Sequence, residues 1–233
     1  MKVRIQFSKH GVMKFIGHLD IMRYFQKAMR RAEVDIAYTT GFSPHQIMSF
    51  AAPLGIGLES DGEYMDIEVN SHNGAKQMQE SLNRVMAEGI EILSVRALPQ
   101  HVKNAMASVA AAGYLVRFQP GYEPDFPYRE ALRTFYEKQS IPFVKTTKKR
   151  ELELDLKPAI YELCMREDAI YMLVDASSAG NIKPAMVMQA FFQENGRQLP
   201  DFALGVTRTD TYMNIGTDEE KRFVPLRDAG EPF

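Results

Sequence analysis

Between His18 and Glu33 the chain repeats apolar residues at three- and four-residue steps: Leu19, Met22, Phe25, Ala28, Met29 and Ala32. That spacing predicts an amphipathic helix whose apolar stripe must pack against another element. Asp20 lies in its first turn, where the helix dipole favours a carboxylate, and within pairing reach of Arg23. Arg23, Lys27, Arg30 and Arg31 recur at similar steps on another face. No Pro or Gly interrupts the run.

The flanking segments say what that stripe packs on. Lys2 to Ser8 alternates Val3, Ile5 and Phe7 with Lys2, Arg4 and Gln6, the period of a half-buried strand. Ile47 to Leu58, broken by Pro53, Gly55 and Gly57, predicts a strand with a bulge or a close backbone approach. Ser60-Asp61-Gly62 predicts a turn, and Tyr64 to Val69 alternates again. A second helix is predicted over 74–88, with Gly89 as its C-cap, and a further strand over 90–98. Strand, helix, strand, strand, helix, strand is the order of a ferredoxin-like βαββαβ domain. The pattern repeats after a connector. Strands are predicted over 113–119, 160–165, 169–174 and 205–212, and helices over 128–139 and 184–193. Further extended candidates lie over 141–146 and 152–156. The expected fold is α+β: two tandem ferredoxin-like (βαββαβ) halves with antiparallel sheets, over 1–99 and 113–213, then a polar tail over 214–233.

Composition narrows the class. With 45% hydrophobic and 25% charged residues the chain reads as globular. The net charge of −2 predicts no polyanion partner, but its distribution does. Residues 1–50 hold eight lysines and arginines against three acids, which creates a local positive field. The one cysteine, Cys164, permits no intrachain disulfide, as suits a reducing cytoplasm. It also excludes a cysteine-held iron–sulfur cluster built from this chain alone. Signal-peptide and membrane-span patterns are not found, so a cytoplasmic protein is expected. Gly55-Ile56-Gly57 lacks the third glycine and the following helix of a dinucleotide site, and no Gly-x-Ser-x-Gly turn occurs.

Several runs together resemble one bacterial family. They are Phe7-Ser8-Lys9, Phe15-Ile16-Gly17-His18-Leu19-Asp20 and Arg30-Arg31-Ala32. Ala37-Tyr38 with Gly41-Phe42-Ser43-Pro44-His45 follows, then Ser49-Phe50-Ala51-Ala52-Pro53-Leu54 and Gly62-Glu63-Tyr64-Met65-Asp66. The chain resembles the radical-SAM-linked proteins, a domain of unknown function. Ser43 stands where that family more often has Asn. The resemblance implies a gene or fusion partner that is a B12-binding radical SAM protein, and for some members a ribonuclease of the E/G type. It implies an accessory role, because a radical SAM enzyme itself needs three closely spaced cysteines.

Three functions remain open on the residues. The first is an RNA-binding accessory module, its ligand a tRNA or rRNA. Its cations would be Arg4, Lys9, Lys14, Arg23, Lys27, Arg30 and Arg31, with a second cluster at Lys145, Lys148, Lys149 and Arg150. Phe143 would be an aromatic able to stack a base. The second is metal-independent RNA cleavage, with His10, His18 or His45 as general acid or base. His18, Asp20, Glu63 and Asp66 are a possible metal set, but their spacing matches no diagnostic ligand pattern, and no metal or cofactor is expected. The third is a protein-binding adaptor using the sheet's free face or the 47–58 segment. Phe42 reads as a core plug that pins its loop, and His45 as a functional group that the loop presents.

Overall fold

The structure is a computed structural model that describes residues 1–146 and 151–233. The chain forms two compact units, Met1–Ala110 with Arg208–Phe233, and Ala111–Thr207. It is mixed α+β with mostly antiparallel sheet.

The first unit opens with β1 (Lys2–Lys9) and, after a short 3-10 turn over Gly11–Phe15, α1 (His18–Arg31). β2 (Met48–Phe50), β3 (Glu59–Glu68), α2 (Ala75–Asn83), β4 (Ile90–Ala97) and the single turn α3 (Ala105–Ser108) follow. β1 lies between β3 and β4, antiparallel to both, and β2 runs antiparallel to β3. α1 buries Ile21, Phe25, Ala28 and Met29 on this sheet. Phe7, Phe25 and Phe50 meet there, with ring centroids 4.7 to 6.1 Å apart. Leu19, expected in the buried stripe, is 67% exposed. Its position falls nearer the face of Arg23 and Arg30 than that of Phe25.

Two expectations for the segment after α1 are corrected. Only three residues of 47–58 are strand, because Pro53, Gly55 and Gly57 (φ +86°) turn the chain instead. Ser60-Asp61-Gly62, expected as a turn, lies inside β3. The second helix is also shorter than expected.

The second unit carries β5 (Ala111–Phe118), α4 (Tyr128–Glu137), β6 (Pro142–Thr146), β7 (Glu151–Asp155), β8 (Ile160–Arg166), β9 (Ala169–Asp175) and α5 (Pro184–Glu194). β9 pairs antiparallel with both β5 and β8, and β6 with β7 forms a separate two-stranded sheet. α5 buries Val187, Met188, Phe191 and Phe192 among others, so little of it faces water. Phe126, Phe135, Phe191 and Phe192 form its aromatic core. Phe143, offered as a base-stacking ring, is buried.

β10 (Leu204–Asn214) begins in the second unit and ends in the first. Residues 214–233, expected as a polar tail, are a structured part of the first unit. β11 (Phe223–Pro225) pairs with β10, and a 3-10 turn over Leu226–Ala229 follows. Leu226 is fully buried, and the Phe233 carbonyl accepts from the Ala75 N–H at 2.9 Å. These residues, with 103–105, close the sheet face opposite α1. Gly62 is fitted to that closure: a Cβ there would lie 2.2 Å from the Asp210 Cα. Gly62→Ala is therefore expected to destabilise the protein by about 2–3 kcal/mol, read as a lowered urea midpoint. Gly121→Ala, at a glycine with open space around it but φ +84°, should cost less.

Candidate nucleic-acid interface

The face of α1 turned away from the core carries Arg23, Lys27, Arg30 and Arg31, all exposed. They sit at i, i+4, i+7 and i+8, one stripe of a helix. Arg23 lies 3.5 Å from Asp20, but both side chains are mostly in water and the pair contributes little. Arg31 is held by other means. Its Nη2 donates to the Val85 carbonyl at 3.2 Å, and its guanidinium lies 5.9 Å from the Tyr24 ring centroid. Among the described residues, no carboxylate pairs with Lys27, Arg30 or Arg31. A cleft beside the helix end is lined by Arg31, Asp35, His72, Ser81 and Arg84. The Asn70 amide and Ser71 hydroxyl donate to Asp35 and hold its carboxyl below the usual range.

The loop after the helix is closed at its neck. The Thr39 N–H donates to the His45 carbonyl at 2.9 Å, and the His45 N–H donates to Thr39 Oγ1 at 3.1 Å. Gln46 Nε2 donates to the Gln26 carbonyl of α1 at 3.2 Å. Phe42 stands at the tip with its side chain wholly exposed, so it pins nothing.

The other expected cations have different fates. Arg4 and Lys9 are corrected: both are buried, with exposures of 0% and 3%, and neither is offered to a surface ligand. Lys9 Nζ donates to the Ile16 carbonyl at 2.8 Å. Burial lowers its pKa, nearby Glu63 opposes that shift, and Arg208 adds to it. Lys14 is half-buried beside Glu59 at 3.4 Å. Lys145 is exposed on β6. Lys148, Lys149 and Arg150 lie outside the described residues.

Each candidate histidine has its own neighbours. His10 faces Asp61 at 2.8 Å and Glu59 at 3.5 Å. His18 packs edge-on against Phe50, with centroids 5.5 Å apart, and His45 Nδ1 lies 3.1 Å from Thr39 Oγ1. His18, Asp20, Glu63 and Asp66 do not gather as a set, although His18 and Glu63 line one small crevice. Asp20 faces Arg23, while Glu63 and Asp66 meet other arginines. Among the described residues, no group of three or more His, Cys, Asp or Glu is placed to hold a metal ion.

Those arginines build a buried ionic layer that the alternation pattern did not reveal. Arg4 Nε and Nη2 donate to the two oxygens of Asp66 at 2.8 and 3.0 Å. Arg4 also donates to the carbonyls of Leu226 and Lys103, and Asp66 accepts the Ala105 N–H. Arg208 Nη1 donates to Glu63 Oε1 at 2.7 Å, which also accepts from Ser60 Oγ. Asp210 accepts from the Tyr64 hydroxyl at 2.6 Å and from Arg227 at 2.8 Å. Burial raises the Asp210 carboxyl, against its hydrogen bonds from Tyr64, Thr211 and Arg227, and also raises the Tyr64 phenol. The only sequence trace of this layer was polar residues on both faces of β1 and β3.

The chain belongs to the DUF2344 family, uncharacterized proteins conserved in bacteria, whose pattern matches residues 2–184. No curated protein matches it. Among solved structures it is similar to a chain of the crystal structure of a Cbf5-Nop10-Gar1 complex, with 10% identity and a TM-score of 0.47. The similarity covers 90% of this chain and 48% of that one, so the chain spans about half the length of that neighbour. No helix among the described residues is long and apolar enough to cross a membrane.

Two measurements check the assignments of charge. Arg4→Met leaves Asp66 buried and unpaired and should cost about 3–5 kcal/mol, whereas Arg4→Met with Asp66→Leu should cost less than the two single changes summed. Urea unfolding of all three reads this. Glu59 supplies the pH test. Burial alone would raise its carboxyl, but the Gly11 N–H, His10 and Lys14 together outweigh burial and hold it below the ordinary value of 4.5. Its contribution to stability is present above that value and is lost as pH falls through the folded pKa. Glu59→Gln should therefore flatten the acid side of the stability–pH curve.

Proposed function

We propose that this protein is an RNA-binding accessory module that works with a radical SAM enzyme in RNA modification or processing. The observation that supports the RNA part is the stripe of Arg23, Lys27, Arg30 and Arg31, exposed along one helix and largely without carboxylate partners. Guanidinium and ammonium groups so spaced meet successive phosphates, and the gain comes from counterion release. The radical SAM partner rests on the resemblance of the 7–66 motifs. We read both units as ferredoxin-like. In each, two helices alternate with strands in the order strand, helix, strand, strand, helix, strand. The β6–β7 hairpin is an insertion in the second unit, and the first part of β10 is that unit's last strand.

With about four phosphates met by α1, log affinity for a single-stranded RNA should fall with log salt at a slope of about −3. The triple change Arg23→Glu, Lys27→Glu, Arg30→Glu should weaken binding on the order of a hundredfold and bring the slope to about −1 or flatter. Filter binding of a tRNA fragment across a salt series reads both quantities. Unchanged affinity and slope in the triple variant would remove this reading.

A further inference from the structure

Phe42 is the most exposed aromatic side chain among the described residues, at 112%. A phenyl ring left in water forgoes the burial that usually places aromatics inside. The loop that presents it is nonetheless tied. Thr39 and His45 clasp each other through backbone and side chain, and an isolated bridge joins Tyr38 to Gln46. Gly41, at φ +117°, takes a backbone conformation that side-chain-bearing residues avoid, and it turns the chain immediately before the ring. Ser43 precedes Pro44 and is steered to extended geometry. The neck is fastened to α1 at Gln26, the residue before Lys27. Tyr38, 49% exposed, stands at the same neck.

The chemistry of the loop is as selective as its shape. Thr39 to Gln46 contains no Asp, Glu, Lys or Arg. It neither repels a phosphate nor attracts one; it offers a π-face, a hydroxyl-lined neck and an imidazole. The charge for a nucleic-acid backbone stands on the helix to which the neck is fastened. A cationic track beside an exposed ring is the combination that holds unpaired nucleotides, with phosphates on the track and a base on the ring. A duplex offers no face to such a ring, because its bases are already stacked on one another.

We infer that Phe42 is the stacking platform for an unpaired base, and that the ligand is single-stranded RNA where it crosses the Tyr38–Gln46 loop. This rests on the RNA-binding reading of α1, and it assigns separate jobs to the two elements: salt-dependent affinity to the helix, salt-independent affinity to the ring.

The test uses the full chain, a single-stranded oligoribonucleotide carrying one 2-aminopurine, and a duplex of the same sequence. Wild-type protein should quench the 2-aminopurine. Phe42→Leu, apolar but not aromatic, should abolish the quench and weaken single-strand binding about 5- to 150-fold, what one stacked base is worth. The salt slope and duplex binding should stay as they were. Phe42→Trp should restore both quench and affinity. Three outcomes would overturn the inference while leaving the helix reading in place. They are wild-type single-strand affinity in Phe42→Leu, equal losses on single strand and duplex, and loss only of co-purification with a protein partner. Loss in Phe42→Leu with no effect of the α1 charge reversals would sustain the stacking platform and sink the helix reading. No binding of either RNA by the wild-type chain would remove both.

Discussion

The Arg4–Asp66 pair is the interaction on which the first unit depends. A guanidinium with no access to water must find a partner for nearly every N–H, and here it does. Two bonds go to one carboxylate, and two go to carbonyls from residues 226 and 103, far away in sequence. A single side chain on β1 thereby ties together the central strand, the connector after β4 and the returning C-terminal segment. Such a pair contributes little net stability compared with well-packed apolar groups, but its half-removal is severe. Its role here is to specify which segments cover the sheet. The Tyr64–Asp210–Arg227 contacts continue that specification along the same face, and the Arg208–Glu63 pair adds another on the α1 side of the sheet.

The closed face alters the meaning of the basic first half. Its cations divide into those consumed by structure and those left for a ligand. Arg4 and Lys9 satisfy backbone carbonyls and carboxylates, and Lys14 leans on Glu59. Arg23, Lys27, Arg30 and Arg31 stand on the side of α1 that the core does not use. The positive field of this region therefore emerges along one helix instead of spreading over the unit. With the opposite sheet face sealed by the chain's own C-terminal residues, α1 and the 39–46 loop are the conspicuous cationic and aromatic features that the first unit presents to water.

That division also accounts for the motif residues of the first half, which do two kinds of work. Lys9, His18, Phe50, Leu54 and Glu63 line a small crevice against β1 and hold the segments there in place. Phe42 and His45 take no part in it. The first unit thus holds one set of motif residues packed inside it and another displayed on its surface.

Much of the fold was legible in the sequence, because periodicity reports which side of an element avoids water. The strand β1, the second half of β3, the Phe25, Ala28 and Met29 part of the α1 stripe and the 160–174 hairpin appear where pattern placed them. Pattern failed where burial was polar. Arg4 and Gln6 alternate with apolar residues and read as solvent-facing. They are buried because partners from residues 61, 103 and 226 reach them, and no local window contains those partners. Ser60-Asp61-Gly62 read as a turn for the same reason. A glycine that lets β10 approach looks, in isolation, like a glycine that lets the chain reverse. Phe42 read as a core plug and is wholly exposed, since hydrophobicity does not say whether a cavity exists to receive it. By itself the sequence determined the elements, the apolar sides and the concentration of positive charge near the amino terminus. Only tertiary structure decided which of those charges face water, because a cation's exposure depends on whether distant carboxylates and carbonyls are brought within hydrogen-bond reach of it.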